Sequence, residues 1–378
     1  MVNIAYFANQ FADECGHGLA RYALELFDAI GERKKELNVS PVAAWSSLPD
    51  EQLETLKTRS RLRILPSGRR GTAYGWTFFG APPIEWMMPG QIDVTHAVAM
   101  GYPIATRKPL VVTIHDLGPL THPEYFSGNR PWLMQKALNQ AVKQAAVIVC
   151  ISHATAEEVV ELCGDSVRSR LRVVHSGVSN RFFENPEYAH LSGLSSPPHG
   201  VPFILSAGKI SPRKNVQGLL RALAKVRSEI PHHLVLTGGN GWDMDQVLSV
   251  VDELALSDRV HMAGYVSDDA LRALYRQASV YVHASLYEGF GLTILEAMAS
   301  GTPVITSDRS SLPEVAGDAA LLVNPHDPES IAAALVTICG NSGVAEKMRQ
   351  AGIARARAFP WENTAEKMIE IYNEIAGK

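Results

Sequence analysis

The chain has 378 residues, 46% hydrophobic and 20% charged, which suits a globular protein of two ordinary domains. A net charge of −4 gives no general attraction to nucleic acid, and none is expected as a partner. Cys15, Cys150, Cys163 and Cys339 form no CxxC pair and no zinc spacing, so reduced thiols in a cytoplasmic protein are expected.

The chain opens on an apolar segment, residues 1–7, with no basic region or cleavage site. It reads as a first core strand, not a signal peptide. No apolar run reaches the ~18–20 residues that a spanning helix needs. Strands are expected at 4–8, 42–45, 94–97, 110–114, 147–151 and 171–174, and a second series at 203–207, 234–237, 260–263, 280–283, 304–306 and 320–323. Helical patterns lie between most of them, for example at 19–30, 216–226 and 268–277. Continuous apolar strands separated by helices predict parallel sheets covered on both faces, here an α/β fold of two doubly wound, Rossmann-like domains. The polar segment 184–200, rich in Pro, Ser and Gly, reads as the linker. The expected organisation is therefore a first domain at 1–183, a second at 201–359, and a closing helix at 360–378 that begins near Pro360.

The most informative stretch is Glu288-Gly-Phe-Gly-Leu-Thr-Ile-Leu-Glu296. A strand, glycines and a helix start place bare N–H groups where an anion can sit. Glu288 precedes the glycines and Glu296 lies about one and a half turns into the helix. A surface carboxylate plus a helix-start carboxylate is the bland explanation. A retaining hydrolase pair fails on spacing, because eight helical residues rise ~12 Å whereas such a pair stands about 5–5.5 Å apart. One ligand flanked by both glutamates fits better. Arg213 and Lys214 follow the strand at 203–207, just before a helix, where parallel sheets bind ligands. A guanidinium fork and an ammonium there suit phosphate. Gly16 and Gly18 mark the first strand–helix turn, and His115 with Asp116 ends the strand at 110–114. A cationic stretch, Lys57, Arg59, Arg61, Arg63, Arg69 and Arg70, reads either as a solvated face or as a patch touching anionic lipid or an anionic acceptor.

These motifs resemble a known family. Glu288-Gly-Phe-Gly-Leu through Glu296-Ala-Met-Ala-Ser-Gly-Thr-Pro-Val304 resembles the E-x7-E signature of retaining glycosyltransferase family 4, whose fold is GT-B. Gly208-Lys-Ile-Ser-Pro-Arg-Lys-Asn215 resembles its basic phosphate loop, and the likeness extends to Gly264-Tyr-Val-Ser267, Leu312-Pro-Glu-Val-Ala-Gly317, His175-Ser-Gly-Val178 and Phe359-Pro-Trp361. The segment from His115 to Phe126 is similar to the bacterial O-antigen-type mannosyltransferase branch. The resemblance implies a nucleotide-sugar donor and a glycan or lipid-linked glycan acceptor, with the first domain on the acceptor side and a crevice closing on the donor. Arg213, Lys214 and the backbone of Gly289, Phe290, Gly291, Leu292 and Thr293 would meet the donor diphosphate. Gly16 and Gly18 would let the first loop approach it. Glu288 would contact the transferred sugar and Glu296 the ribose, while His115 would lie beside the reacting centre. The base would lie near Gly239, Tyr265 and Val266, and the last helix would cross back to the first domain.

GDP-mannose is the donor expected from the narrower likeness, with UDP-glucose or another UDP-sugar next. No Asp-x-Asp metal motif occurs, so a metal-independent reaction without cofactor is expected. The competing readings are a sugar-nucleotide epimerase of the same fold and a non-catalytic sugar-nucleotide-binding subunit. A phosphorylase lacks a recognisable pyridoxal-lysine context. A peripheral position at the inner face of a membrane, through residues 57–70, is the corresponding expectation for localisation.

Overall fold

The computed structural model describes residues 1–12, 18–33, 37–127, 131–185, 195, 200–239 and 241–377. Contacts divide it into two units: Met1–Pro123, Gly128–Gly177 and Trp361–Lys378 in one, Glu124–Ser127 and Val178–Pro360 in the other. The division falls at Gly177, ahead of the expected 183, because the turn Asn180–Phe182 already packs within the second unit. Most of the expected linker lies outside the described residues.

Among the described residues the first unit carries β1 (Val2–Phe7), β2 (Leu37–Ala43), β3 (Arg63–Ile64), β4 (Val94–Ala97), β5 (Leu110–Ile114), β6 (Val147–Cys150) and β7 (Leu171–Val173). They form one parallel sheet in the order β3-β2-β1-β4-β5-β6-β7. β4, β5 and β6 are buried throughout, as strands covered by helices on both faces must be. The chain reverses direction across the sheet between β1 and β4, the kind of switch point where parallel sheets open a ligand crevice. β2 begins before the expected 42–45 because Asn38, Ser40 and Pro41 interrupt its apolar pattern.

β3 was not expected at all. It lies inside the cationic stretch, which spans several elements: a helix Asp50–Ser60, a left-handed turn at Arg61, β3, and a helix Gly68–Tyr74 follow one another. Much of its charge is engaged locally. Lys57 pairs with Glu54 at 2.7 Å, Arg59 with Asp28 at 2.6 Å, and Arg69 stacks on Trp45 at 4.5 Å.

The helix Trp361–Ile375 completes the first unit by packing on the helix Gly18–Arg33. Its Tyr372 hydroxyl donates to His96 Nδ1 at 2.7 Å, and His96 Nε2 donates to Thr113 Oγ1 at 2.8 Å, all inside the core. Burial first, then His115, holds the His96 pKa down to about 3, so the ring is neutral and can accept on one nitrogen while donating from the other.

The second unit carries β8 (Phe203–Ala207), β9 (His233–Thr237), β10 (Val260–Gly264), β11 (Val280–His283), β12 (Val304–Ser307) and β13 (Leu321–Val323), parallel in the order β10-β9-β8-β11-β12-β13. The loops that leave β8, β9 and β10 are joined through backbone. Gly208 N donates to Thr237 O at 2.8 Å, Gly238 N to Gly264 O at 2.7 Å, and Ile210 N to Gly239 O at 3.3 Å. Gly238 has φ +134°, and a Cβ there would stand 2.2 Å from Gly208 O. The site therefore excludes every other residue on two counts, conformation and space. A Gly238→Ala variant is expected to lose more than about 2 kcal/mol of stability, since strain of ~1–3 kcal/mol adds to the clash. An unchanged urea midpoint would contradict this packing.

Candidate active site

The second unit gathers its charged groups where the loops after β8 and β11 meet. Arg213 and Lys214 lie in a short 3-10 turn, Pro212–Lys214, that ends in Asn215 at φ +54°. The turn is held against the β11 loop: Leu286 N donates to Arg213 O at 2.8 Å, and Asn215 Nδ2 donates to Ala284 O at 3.1 Å. Arg213 Nη1 donates to Tyr287 O at 2.9 Å. Both cations then converge on one carboxylate. Arg213 Nη1 stands 2.5 Å from Glu288 Oε2, and Lys214 Nζ stands 2.7 Å from Glu288 Oε1.

His283, at the tip of β11, is the fourth member. Its Nε2 donates to Glu288 Oε1 at 3.1 Å, and its Nδ1 accepts from the Tyr281 hydroxyl at 3.1 Å. One neutral tautomer satisfies both contacts. Burial first, with Lys214 next, holds the His283 pKa down to about 4, against the opposing pull of Glu288. Burial alone would raise the Glu288 pKa, but Arg213 and Lys214 together hold it well below the usual carboxylate range. Lys214 is itself lowered by burial, an effect that Glu288 partly offsets. The result is a nearly enclosed carboxylate, ionised and triply partnered.

The glycine loop that follows is shaped from outside. Glu288 N donates to Ser310 Oγ at 2.9 Å, and Ser311 Oγ bonds Glu288 O at 2.9 Å and Phe290 O at 3.0 Å. Gly291 caps the helix Leu292–Ala299 at φ +107°, where a Cβ would meet Leu312 Cδ2 at 2.7 Å. Of the residues expected to offer N–H groups to an anion, Gly291, Leu292 and Thr293 form the cap and first turn, which lack intrahelical partners, while Gly289 and Phe290 precede them. Thr293 Oγ1 lies 3.4 Å from His283 Nδ1, joining that turn to the charged cluster.

Glu296 is the fifth residue of this helix, just over one turn from its start, nearer than the expected one and a half turns because the helix begins only at Leu292. Its side chain is 2% exposed, and Oε2 accepts from the Tyr275 hydroxyl at 3.3 Å. Gly239 joins the backbone rim described above. Tyr265 and Val266 leave β10 beside it, with the Tyr265 ring 72% exposed.

In the first unit, His115 follows β5, its Nε2 bonded to Val98 O at 2.8 Å and its ring edge-on to Tyr22 at 4.6 Å. Burial holds its pKa down to about 4, so it is neutral. Gly18 is the first residue of the helix Gly18–Arg33. Gly16 lies outside the described residues. Sequence reasoning passed over His283, Ser310 and Ser311. The reasoning that singled out His115, a histidine ending an apolar strand, applies equally to His283. The two serines carry no local signal, since they act through the fold.

Two parallel-sheet units, the second holding two cations, a carboxylate and a glycine-rich helix start at the carboxyl edge of its sheet, define the GT-B class of glycosyltransferases. Residues 16–181 match the model of Glycosyltransferase Family 4, and residues 195–355 match that of Glycosyl transferases group 1. The O-antigen chain mannosyltransferase B of Escherichia coli is 33% identical over 94% of this chain and 95% of its own length. Among solved structures, sucrose-phosphate synthase of Thermosynechococcus elongatus aligns with TM-score 0.80 at 21% identity, covering 99% of each chain. Anabaena HepE in complex with UDP and glucose aligns with TM-score 0.72 at 18% identity, covering 99% of this chain and 100% of its own. The chain belongs to glycosyltransferase family 4, and it is a glycosyltransferase.

The neutral histidine makes stability depend on pH. In the unfolded chain a histidine takes up a proton near pH 6.5, whereas folded His283 resists until about 4, so falling pH favours unfolding across that window. His283 is expected to contribute about 2 kcal/mol of the stability lost between pH 7 and pH 5. A His283→Gln variant should lose correspondingly less over the same interval in urea titrations. Equal losses in variant and parent would remove His283 from the network.

Proposed function

We propose that this glycosyltransferase moves mannose from GDP-mannose, with retention at the anomeric carbon, to a glycan or lipid-linked glycan acceptor during polysaccharide assembly. The observation that carries the transfer step is the convergence of Arg213 and Lys214 on Glu288. The sugar is suggested by the match to an O-antigen mannosyltransferase along nearly the whole chain.

Glu288 holds the two cations in place. A donor diphosphate offers oxygens that can replace those of Glu288, and the freed carboxylate then turns to hydroxyls of the transferred sugar. Glu296, fixed on one oxygen by Tyr275, takes the ribose hydroxyls. As the anomeric bond breaks towards an oxocarbenium-like state, negative charge grows on the leaving diphosphate. Arg213, Lys214 and the helix start at Gly291–Thr293 stabilise that charge more than the ground state, which lowers the barrier. The acceptor hydroxyl attacks from the leaving-group face, and a diphosphate oxygen takes its proton. This scheme assigns the neutralisation to side chains and a helix end, and it calls on no metal. Gly239, Tyr265 and Val266 form the base rim, and His115 stands on the acceptor side. The reaction is placed on the cytoplasmic side, where nucleotide sugars would be available.

A UDP-sugar donor is the second reading, favoured by the presence of UDP and glucose in HepE, a protein of the same fold. Thermal shifts with GDP, UDP, GDP-mannose and UDP-glucose separate the two. Binding at a hundredfold excess over Kd stabilises by about 2.7 kcal/mol. GDP and GDP-mannose are expected to raise Tm, and a larger rise with the uridine pair would replace the donor assignment.

Arg213→Ala, Lys214→Ala and Glu288→Gln should each lose most transfer from GDP-mannose while melting as folded proteins. Losses of about 10²–10³ in kcat match removal of one stabilising donor. Near-parental turnover in any of them would take that residue out of the proposed site.

A further inference from the structure

The first unit carries a surface that the proposed transfer scheme leaves unassigned. The helix Gly68–Tyr74 runs directly into a π-helical turn, Gly75–Phe79, closed by Gly80 in the left-handed region. Such turns are rare and concentrate at functional places. Here the turn sorts its aromatic residues. Trp76 points inward, donates from Nε1 to Pro82 O at 2.8 Å and packs on Phe7 at 5.1 Å. Tyr74, Phe78 and Phe79 stand in solvent, 65%, 49% and 79% exposed.

They are not scattered. Phe78 meets Tyr74 at 4.8 Å and Trp132, itself 47% exposed on the helix Pro131–Gln144, at 6.1 Å. Lys136 Nζ lies 4.5 Å from the Phe78 ring and 5.8 Å from that of Trp132. Exposed apolar groups gathered in this way mark a contact surface. The two segments that carry them bear charge of one sign. No acidic residue occurs between Glu54 and Glu85, and none lies in Pro131–Gln144. Glu85 itself is turned to backbone, accepting from Arg107 N at 2.5 Å.

We propose that the cluster Tyr74, Phe78, Phe79, Trp132 and Lys136 seats the protein on a lipid bilayer that bears anionic headgroups. Phe78 and Phe79 offer no hydrogen bond to a sugar hydroxyl, and neither segment has a carboxylate. The polar groups that the cluster opens to a glycan are those of Tyr74, Trp132 and Lys136, and the vesicle test is paired with a soluble glycan for that reason. A bilayer interface suits each component: phenylalanine enters the acyl boundary, tryptophan and tyrosine settle at headgroup depth, and lysine lies along the apolar surface with its charge in water. Trp76 anchors the cluster on the last residue of β1, at the carboxyl edge of the first sheet, the edge that faces ligands in such sheets. The proposed contact is centred on residues 74–79 and 132–136; in the cationic stretch 57–70, Lys57, Arg59 and Arg69 are engaged at home. The proposal is independent of which donor is used.

The test is cosedimentation, without donor, with vesicles of phosphatidylcholine alone and of phosphatidylcholine with phosphatidylglycerol. The parent should sediment with the anionic vesicles and be released as salt rises. A Phe78→Ser, Phe79→Ser double variant should bind more than about tenfold more weakly, and Lys136→Ala about fivefold. Transfer to a soluble oligosaccharide should persist in both, which keeps a failure here separate from a failure of the donor assignment. Should the double variant not melt as a folded protein, Trp132→Ser serves in its place. A parent that stays in the supernatant with both vesicles overturns the proposal. So does a variant that sediments like the parent, or a soluble glycan that binds the parent and not the variant.

Discussion

Enclosing a carboxylate away from water costs several kcal/mol unless opposite charge stands at contact distance. That constraint organises the second unit around Glu288. Arg213 and Lys214 supply charge, and His283 supplies a hydrogen bond without adding a third cation, because burial keeps the ring neutral. Three separate loops must hold their places for this to work. The 3-10 turn at Pro212–Lys214 is tied to the β11 loop, and the glycine loop is tied to Ser310 and Ser311. The cluster is therefore a local charge balance and also the knot that fixes the shape of the ligand edge.

Backbone, more than side chain, builds the rest of that edge. The loops after β8, β9 and β10 approach so closely that amides bond directly to neighbouring carbonyls. Rims of this kind present fixed dipoles, and fixed dipoles need no reorganisation when charge moves in the reaction. Among side chains beside this rim, Tyr265 stands out into solvent, 72% exposed.

How much of this was legible in the sequence follows from range. Twelve strands showed themselves as short apolar runs, and Arg213, Lys214, Glu288 and Glu296 stood out because charge beside glycine at a strand end has few purely structural uses. Features set by distant partners did not show. β3 is two residues long and exists because it pairs with β2, so its own cationic sequence concealed it. His283 was read as the end of a strand, since nothing local indicates that Glu288 will fold back onto it. The grip of Ser310 and Ser311 on the glycine loop, and the burial of Glu296 against Tyr275, are likewise products of packing.

The join between Tyr372 and His96 has a consequence for how the chain is made. Domains commonly fold in the order in which they leave the ribosome. Here the first unit is assembled from both ends of the described chain, and its core contains a buried hydroxyl–imidazole bond that waits for residues 361–375. Until then Thr113 and His96 face a space that the last helix fills, and the second unit, synthesised later, has every strand it needs first. The order of completion is thereby the reverse of the order of synthesis. A finished first unit therefore requires residues 361–375.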